Sequence, residues 1–316
     1  MERNKCLLLL LISLFLSAAF SLSGCSTDEK KTNETSDVLI TEQTPISSSK
    51  TTEISTMTPG ETTEATETTA NMLIKTGDLV LFGRYNDEDI LWQVMKIEPD
   101  RLILWSKHIL TAKCFDAAES GSYYIGQSIT DRFGSNRWQD SNIRDWLNAR
   151  GAVNWITQPP TEAAVDGKGY YDLEHGFLSD FSETDYQMIL PEDRPLFDYD
   201  ENVLYTTSDR VFLASLAEVK VSGKWGLSQA DLAKIPTETA MANNKNSYPD
   251  ERLSCMYFLQ TPGNDEPCMI YGVFDDGRFW VGDACNSTCG IAPALVISPK
   301  APVSGSGTID DPWKFN

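Results

Sequence analysis

Thiols are the side chains with the most chemistry available in this sequence, and position sorts them. Of seven cysteines, Cys6 lies in an apolar run near the N-terminus, Cys25 follows a run of small residues, and Cys114, Cys255, Cys268, Cys285 and Cys289 fall later. Five later thiols cannot all pair within one chain. In an oxidising compartment Cys255 with Cys268 and Cys285 with Cys289 are the nearest candidates, though spacing does not fix connectivity. Zinc is disfavoured, because Cys285-x3-Cys289 has no second pair and the only histidines, His108 and His175, lie far off in sequence. Hard oxygen donors crowd Asp87, Glu88 and Asp89, and again Asp198, Asp200, Glu201 and Asn202. Calcium is a candidate at both, but neither follows EF-hand order and solvated acidic loops are the expectation; no other cofactor is implied. Gly-x-Ser-x-Gly, His-Glu-x-x-His and phosphate-loop patterns are absent. Residues 72–316 hold 36 Asp and Glu, so a carboxylate pair for glycoside hydrolysis can always be nominated and the nomination has no weight. A late aromatic group, Tyr271, Phe274, Phe279 and Trp280 with Arg278, suits a ligand-binding face, although strand alternation turns about half of such residues inward.

The segments that carry these residues divide into three. Residues 1–24 open with Arg3 and Lys5 and continue through an uncharged run from Cys6 to Phe20, which has the length and flanks of a signal peptide. The run stops short of the roughly 20 apolar residues that span a bilayer. Residues 25–71 form a spacer: of the 46 residues after Cys25, 20 are Ser or Thr, and apolar residues are too sparse to offset the entropy of ordering. Residues 72–316 are expected to form a single globular domain. The formal charge of -20 falls mostly there, at -15, with +1 on the first 24 residues and -6 on the spacer. Such acidity argues against nucleic acid and fits cations, neutral glycans or basic protein patches better.

Within the domain, Leu79–Tyr85, Ile90–Ile97 and Arg101–Trp105 read as strands joined by the turns Asn86-Asp87-Glu88-Asp89 and Pro99-Asp100. Asp140 or Ser141 caps a short helix with Ile143, Trp146 and Leu147 on one face. Ser182-Glu183-Thr184-Asp185 opens a second, with Tyr186, Ile189 and Leu190 behind it and Pro191 as its stop. Strands return at Met256–Leu259, Met269–Phe274, Phe279–Val281 and Ile291–Ile297, with Asp275-Asp276-Gly277 turning a hairpin. The order predicts an α+β fold with a mainly antiparallel sheet and two or more packed short helices.

Two resemblances add to this reading. Leu22-Ser23-Gly24-Cys25 resembles the lipobox of bacterial lipoproteins, which implies cleavage before Cys25, lipid on its thiol, and a membrane anchor on the extracytoplasmic face. From Gly77 to Ile297 the chain resembles a bacterial surface family known as domain of unknown function 6273. The matching residues are Phe82, Gly83 and Tyr85; Trp92; Trp138, Ser141, Arg144, Trp146, Leu147 and Asn148; Asp209, Ser215 and Glu218; Pro262 and Gly263; and Pro293. The family's arginines in the last two motifs are replaced by Gln260 and Ala292. The element order also resembles the C-type-lectin-like fold, shared with formylglycine-generating enzymes, which would set a late cysteine pair near Cys285 and Cys289, though with different spacing. The sequence therefore points to a surface-displayed module that binds an extracellular glycan or protein. The alternatives are a cysteine-dependent oxidase, a wall-directed hydrolase or a structural envelope component.

Overall fold

A computed structural model describes residues 74–166, 169–198, 200, 202–220, 223–244, 256–264, 266–298 and 304–315. Cys25, the signal segment, the spacer and Cys255 lie outside the described residues. The described part belongs to one compact unit, Gly60–Asn316.

Three strands open it: β1 (Leu79–Tyr85), β2 (Glu88–Glu98) and β3 (Arg101–Ser106). Alternate residues of β2, Ile90, Trp92 and Val94, are fully buried, the pattern of a strand with one face on the core. The β1–β2 connection is the two-residue turn Asn86-Asp87, both with positive φ, as a tight hairpin matched to strand twist requires. After β4 (Thr111–Ala112) come α1 (Ile129–Phe133), α2 (Asn142–Asn148) and α3 (Glu183–Met188). Ser141 caps α2 by accepting from Arg144 N, and Ile143, Trp146 and Leu147 are its buried face.

Helix α3 starts at its Ser182 cap but ends before Ile189 and Leu190, which were expected on the helix. Those two residues form β5 (Ile189–Leu190), because pairing with Val296 and Ile297 satisfies their backbone inside the sheet. A hairpin follows, β6 (Glu192–Phe197) and β7 (Val203–Asp209), then β8 (Val211–Leu213) and the short helices α4 (Leu216–Val219), α5 (Gln229–Leu232) and α6 (Glu238–Asn244). The last strands are β9 (Tyr257–Pro262), β10 (Met269–Val273), β11 (Phe279–Asp283), β12 (Gly290–Ile291), β13 (Pro293–Ile297) and β14 (Trp313–Lys314). The expected single strand from Ile291 is broken at Ala292, and its halves join different sheets.

The sheets are a seven-stranded one, ordered β14-β1-β2-β3-β13-β5 with β8 also on β13; a five-stranded one, ordered β11-β10-β9-β12-β4; and the β6–β7 hairpin. Among the described residues, the named strands all pair antiparallel except β1 with β14 and β12 with β9. The molecule is thus a strand-rich mixture of α and β with several sheets and few, short helices. Strand β13 is entirely buried, and Trp92, Trp105, Trp138 and Trp146 are each at most 1% exposed. Among the described residues no helix is long and apolar enough to cross a membrane.

Candidate functional site

The residues that carry the sequence motifs form a clamp between elements. Asp209, at the end of β7, is buried; its carboxylate accepts from Arg144 Nε at 2.6 Å, Trp138 Nε1 at 2.9 Å and Thr207 Oγ1 at 2.6 Å. Asn148 closes the same helix onto β8, donating to Val211 O at 2.9 Å and accepting from the backbone N–H of Arg210 and Val211. Ser215 and Glu218 make a capping box at α4, and both carboxylate oxygens of Glu218 also accept from one Arg194 guanidinium nitrogen, at 2.7 and 2.8 Å. Burial raises the Glu218 pKa, but the Arg194 charge and these hydrogen bonds together hold it below the usual range. On the first sheet, Trp92 Nε1 donates to Phe82 O, and Tyr85 packs on Trp146 and Phe177. Pro262 ends β9 against Ile270, Gly263 donates to Met269 O, and Pro293 begins β13 opposite Leu213. Apart from Arg194 Nε, which has no hydrogen-bond partner, these polar groups satisfy one another, so they hold the fold and leave little free for a ligand.

The late aromatic group does not share one face. Gly272 lies opposite both Phe258 and Trp280, so Trp280 lies across Gly272 toward Phe258, 5.8 Å away, with Phe274 at 6.1 Å. A Cβ on Gly272 would stand 2.5 Å from that indole, so the glycine is what admits it. Tyr271 is opposite Val281, one residue out of step, and points to the other face. Arg278 pairs with Asp276 in its own turn at 2.6 Å. Of the four predicted residues, Phe274, Arg278 and Trp280 lie together, with Arg278 5.7 Å from the Phe274 ring, and Tyr271 stands apart from them.

Cys285 and Cys289, one of the candidate pairs, are not bonded to each other here; Cys114, Cys268, Cys285 and Cys289 are buried thiols. Burial pushes the thiols of Cys285 and Cys289 far above their usual range, the opposite of an activated nucleophile. Among the described residues no group of three or more His, Cys, Asp or Glu is placed to hold a metal ion. At the two acidic segments, Asp89 pairs with Arg84 and Asp198 accepts from Asn202.

A cleft of about 490 Å³ opens elsewhere, where three segments meet. The β1–β2 turn brings Tyr85 and Asn86; β4 and the residue after it bring Thr111, Ala112 and Lys113; the stretch from Gly169 to Asp180 brings Tyr170, Glu174, His175 and Ser179. Asn243 of α6 completes the rim. The turn is fixed by Asn86 N donating to Asp180 Oδ2 at 3.1 Å. The third segment is held by Trp146 Nε1 donating to His175 O at 3.0 Å and by Gly176 N donating to Gly151 O. Lys113 makes the floor. Its amine donates to Glu174 Oε2 at 2.5 Å and stands 4.7 Å from the ring centroids of both Trp146 and Tyr171. Two aromatic faces and one carboxylate thus offset the cost of an ammonium that is only 2% exposed.

Around this floor the walls offer amide, hydroxyl, phenol and imidazole groups, and Tyr170 is 46% exposed. Of these residues the sequence had marked Tyr85 for its motif and Asn86 for its turn, and had named His175 only as too distant to complete a zinc site. Lys113, Tyr170 and Glu174 sit in connecting segments with no periodicity or motif to mark them.

The family model described as Domain of unknown function (DUF6273) matches residues 100–299. No curated protein and no solved structure matches the chain. The clamp from Trp138 to Glu218 and the central strand at Pro293 fall inside that span, which takes in well over half of the sequence, and the chain belongs to the DUF6273 family.

Proposed function

We propose that this chain is a lipid-anchored surface protein whose domain binds a neutral, hydroxyl-rich glycan in the cleft bounded by Asn86, Lys113 and Tyr170. The observation that carries the reading is the balance of charge against polarity there. The one lysine is already paired with Glu174, Asp180 adds a carboxylate, and the remaining walls are hydrogen-bonding groups beside a half-exposed tyrosine. An anion would meet acidic walls. A sugar instead finds donors and acceptors for its hydroxyls and an aromatic face for its C–H edge. Export follows from the resemblance of Leu22-Ser23-Gly24-Cys25 to a lipobox, with two or three acyl chains on Cys25 giving stable attachment. The C-type-lectin-like arrangement belongs to the same proposal, with support from the element order alone. The oxidase reading loses its support with the burial of Cys285 and Cys289.

A glycan screen of the full chain tests this. Neutral oligosaccharides are expected to bind, and Tyr170→Ala and Asn86→Ala each to weaken binding by about tenfold, roughly 1.4 kcal/mol. Binding only to proteins, or glycan binding indifferent to both substitutions, would sink the proposal.

A further inference from the structure

All four described thiols are fully buried and none is bonded to another. Two of them meet across one backbone junction. Ala284 O accepts from Phe115 N at 2.8 Å and from Asp116 N at 3.0 Å. Cys114 and Cys285 are the residues flanking that contact, one on each segment. The 2.8 Å bond joins their immediate neighbours in sequence and so brings the two thiol-bearing stretches of backbone together, as a disulfide with its roughly 4.4–6.8 Å Cα span requires.

The other thiols are set differently. Ala284 N donates to Cys268 O just beyond the end of the β10–β11 ladder, and the Sγ of Cys268 lies 3.8 Å from Asp283 Oδ1. Cys289 O accepts from Lys113 N, one residue out of step with Cys114. The electrostatics agree. After burial, Cys114 is the largest influence raising the Cys285 thiol, ahead of Cys268, whereas Cys289 is raised by burial alone.

We propose that Cys114 and Cys285 are a disulfide-forming pair, closed while the chain folds in an oxidising medium. One thiolate attacks the disulfide of an oxidant, glutathione disulfide or the active-site disulfide of a thiol oxidase, and a mixed disulfide forms as one thiol leaves. The second thiolate attacks the chain's own sulfur in that bond, and the other half of the oxidant leaves as a thiol. Two electrons and two protons pass from the pair to the oxidant. The finished fold offers neither thiolate nor access, so closure precedes burial and the bond is then sealed from reductant. It lies beneath the cleft: Cys114 follows Lys113, and its carbonyl accepts from Tyr171 Oη at 3.0 Å.

The full chain, denatured and reduced, is refolded with glutathione and glutathione disulfide, alkylated, and mapped without reduction. A peptide joining Cys114 to Cys285, lighter by two hydrogens, is expected, together with a higher melting temperature than the reduced chain. The same mixture added to the already folded reduced chain should give about a tenfold lower yield of that peptide. Alkylation of both thiols after refolding, or a bond from either to any other cysteine, overturns the pairing; equal yield from the folded chain overturns the order of events. The map is read on the unsubstituted chain, so failure of Cys114→Ser to fold would not cloud it. A negative glycan screen leaves the result untouched.

Discussion

Asp209 and Asp116 are two buried carboxylates with opposite environments. Asp209 is matched by a cation, with Arg144 bonded to it alongside Trp138 and Thr207. Removing that cation leaves a buried charge, so Arg144→Ala should destabilise the fold by about 3–5 kcal/mol, read from urea denaturation. Among the described residues no cation pairs with Asp116; its oxygens accept from Ser135 N at 2.9 Å and Asn142 N at 3.1 Å, and burial pushes its pKa up to about 7. An unfolded aspartate releases its proton at about pH 3.9. Stability from protonated Asp116 is therefore fully present below that pH and is lost as pH rises through about 7. The urea midpoint should fall between pH 5 and pH 7.5, and Asp116→Asn should remove this slope. A midpoint slope unchanged in that variant would show that another group sets it. At this scale the sequence was legible where residues repeat a family pattern, as with Arg144 and Asn148. It was silent on Lys113 and Glu174, whose pairing across 61 positions only the fold creates.

Among the elements, the hairpins and helix starts were readable because turn chemistry and caps are local. Asn86-Asp87, Ser141 and Ser182 all act where expected. Endings were harder. Ile189 and Leu190 carry helix-compatible spacing, and only the distant strand β13 decides that they pair as β5. The break at Ala292 has the same origin, two sheets competing for one apolar run. Gly83 shows how an element can depend on one residue. It sits at φ +66 where the β1–β2 register shifts, and a Cβ there would lie 2.1 Å from the Phe181 ring. Gly83→Ala adds backbone strain to a steric clash and should cost on the order of 2–4 kcal/mol, measurable as a lowered thermal midpoint.

For the molecule as a whole, an acidic domain and an acidic spacer make lipid on Cys25 the sole membrane contact in the proposed arrangement. A Cys25→Ala chain should then appear in the medium with the domain folded, its circular dichroism and melting temperature matching the anchored form. Retention in the membrane fraction would require a second attachment. Strand β1 gives that arrangement a mechanical meaning. Residues 25–71 precede it in sequence, Trp313 Nε1 bonds to Asp78 at its start, and Tyr85 and Asn86 of the cleft stand at its far end. Tension between an anchored lipid and a bound ligand would run along β1, between β2 and β14. Such a load strains the rungs on both sides together, in shear, where peeling would break them one at a time.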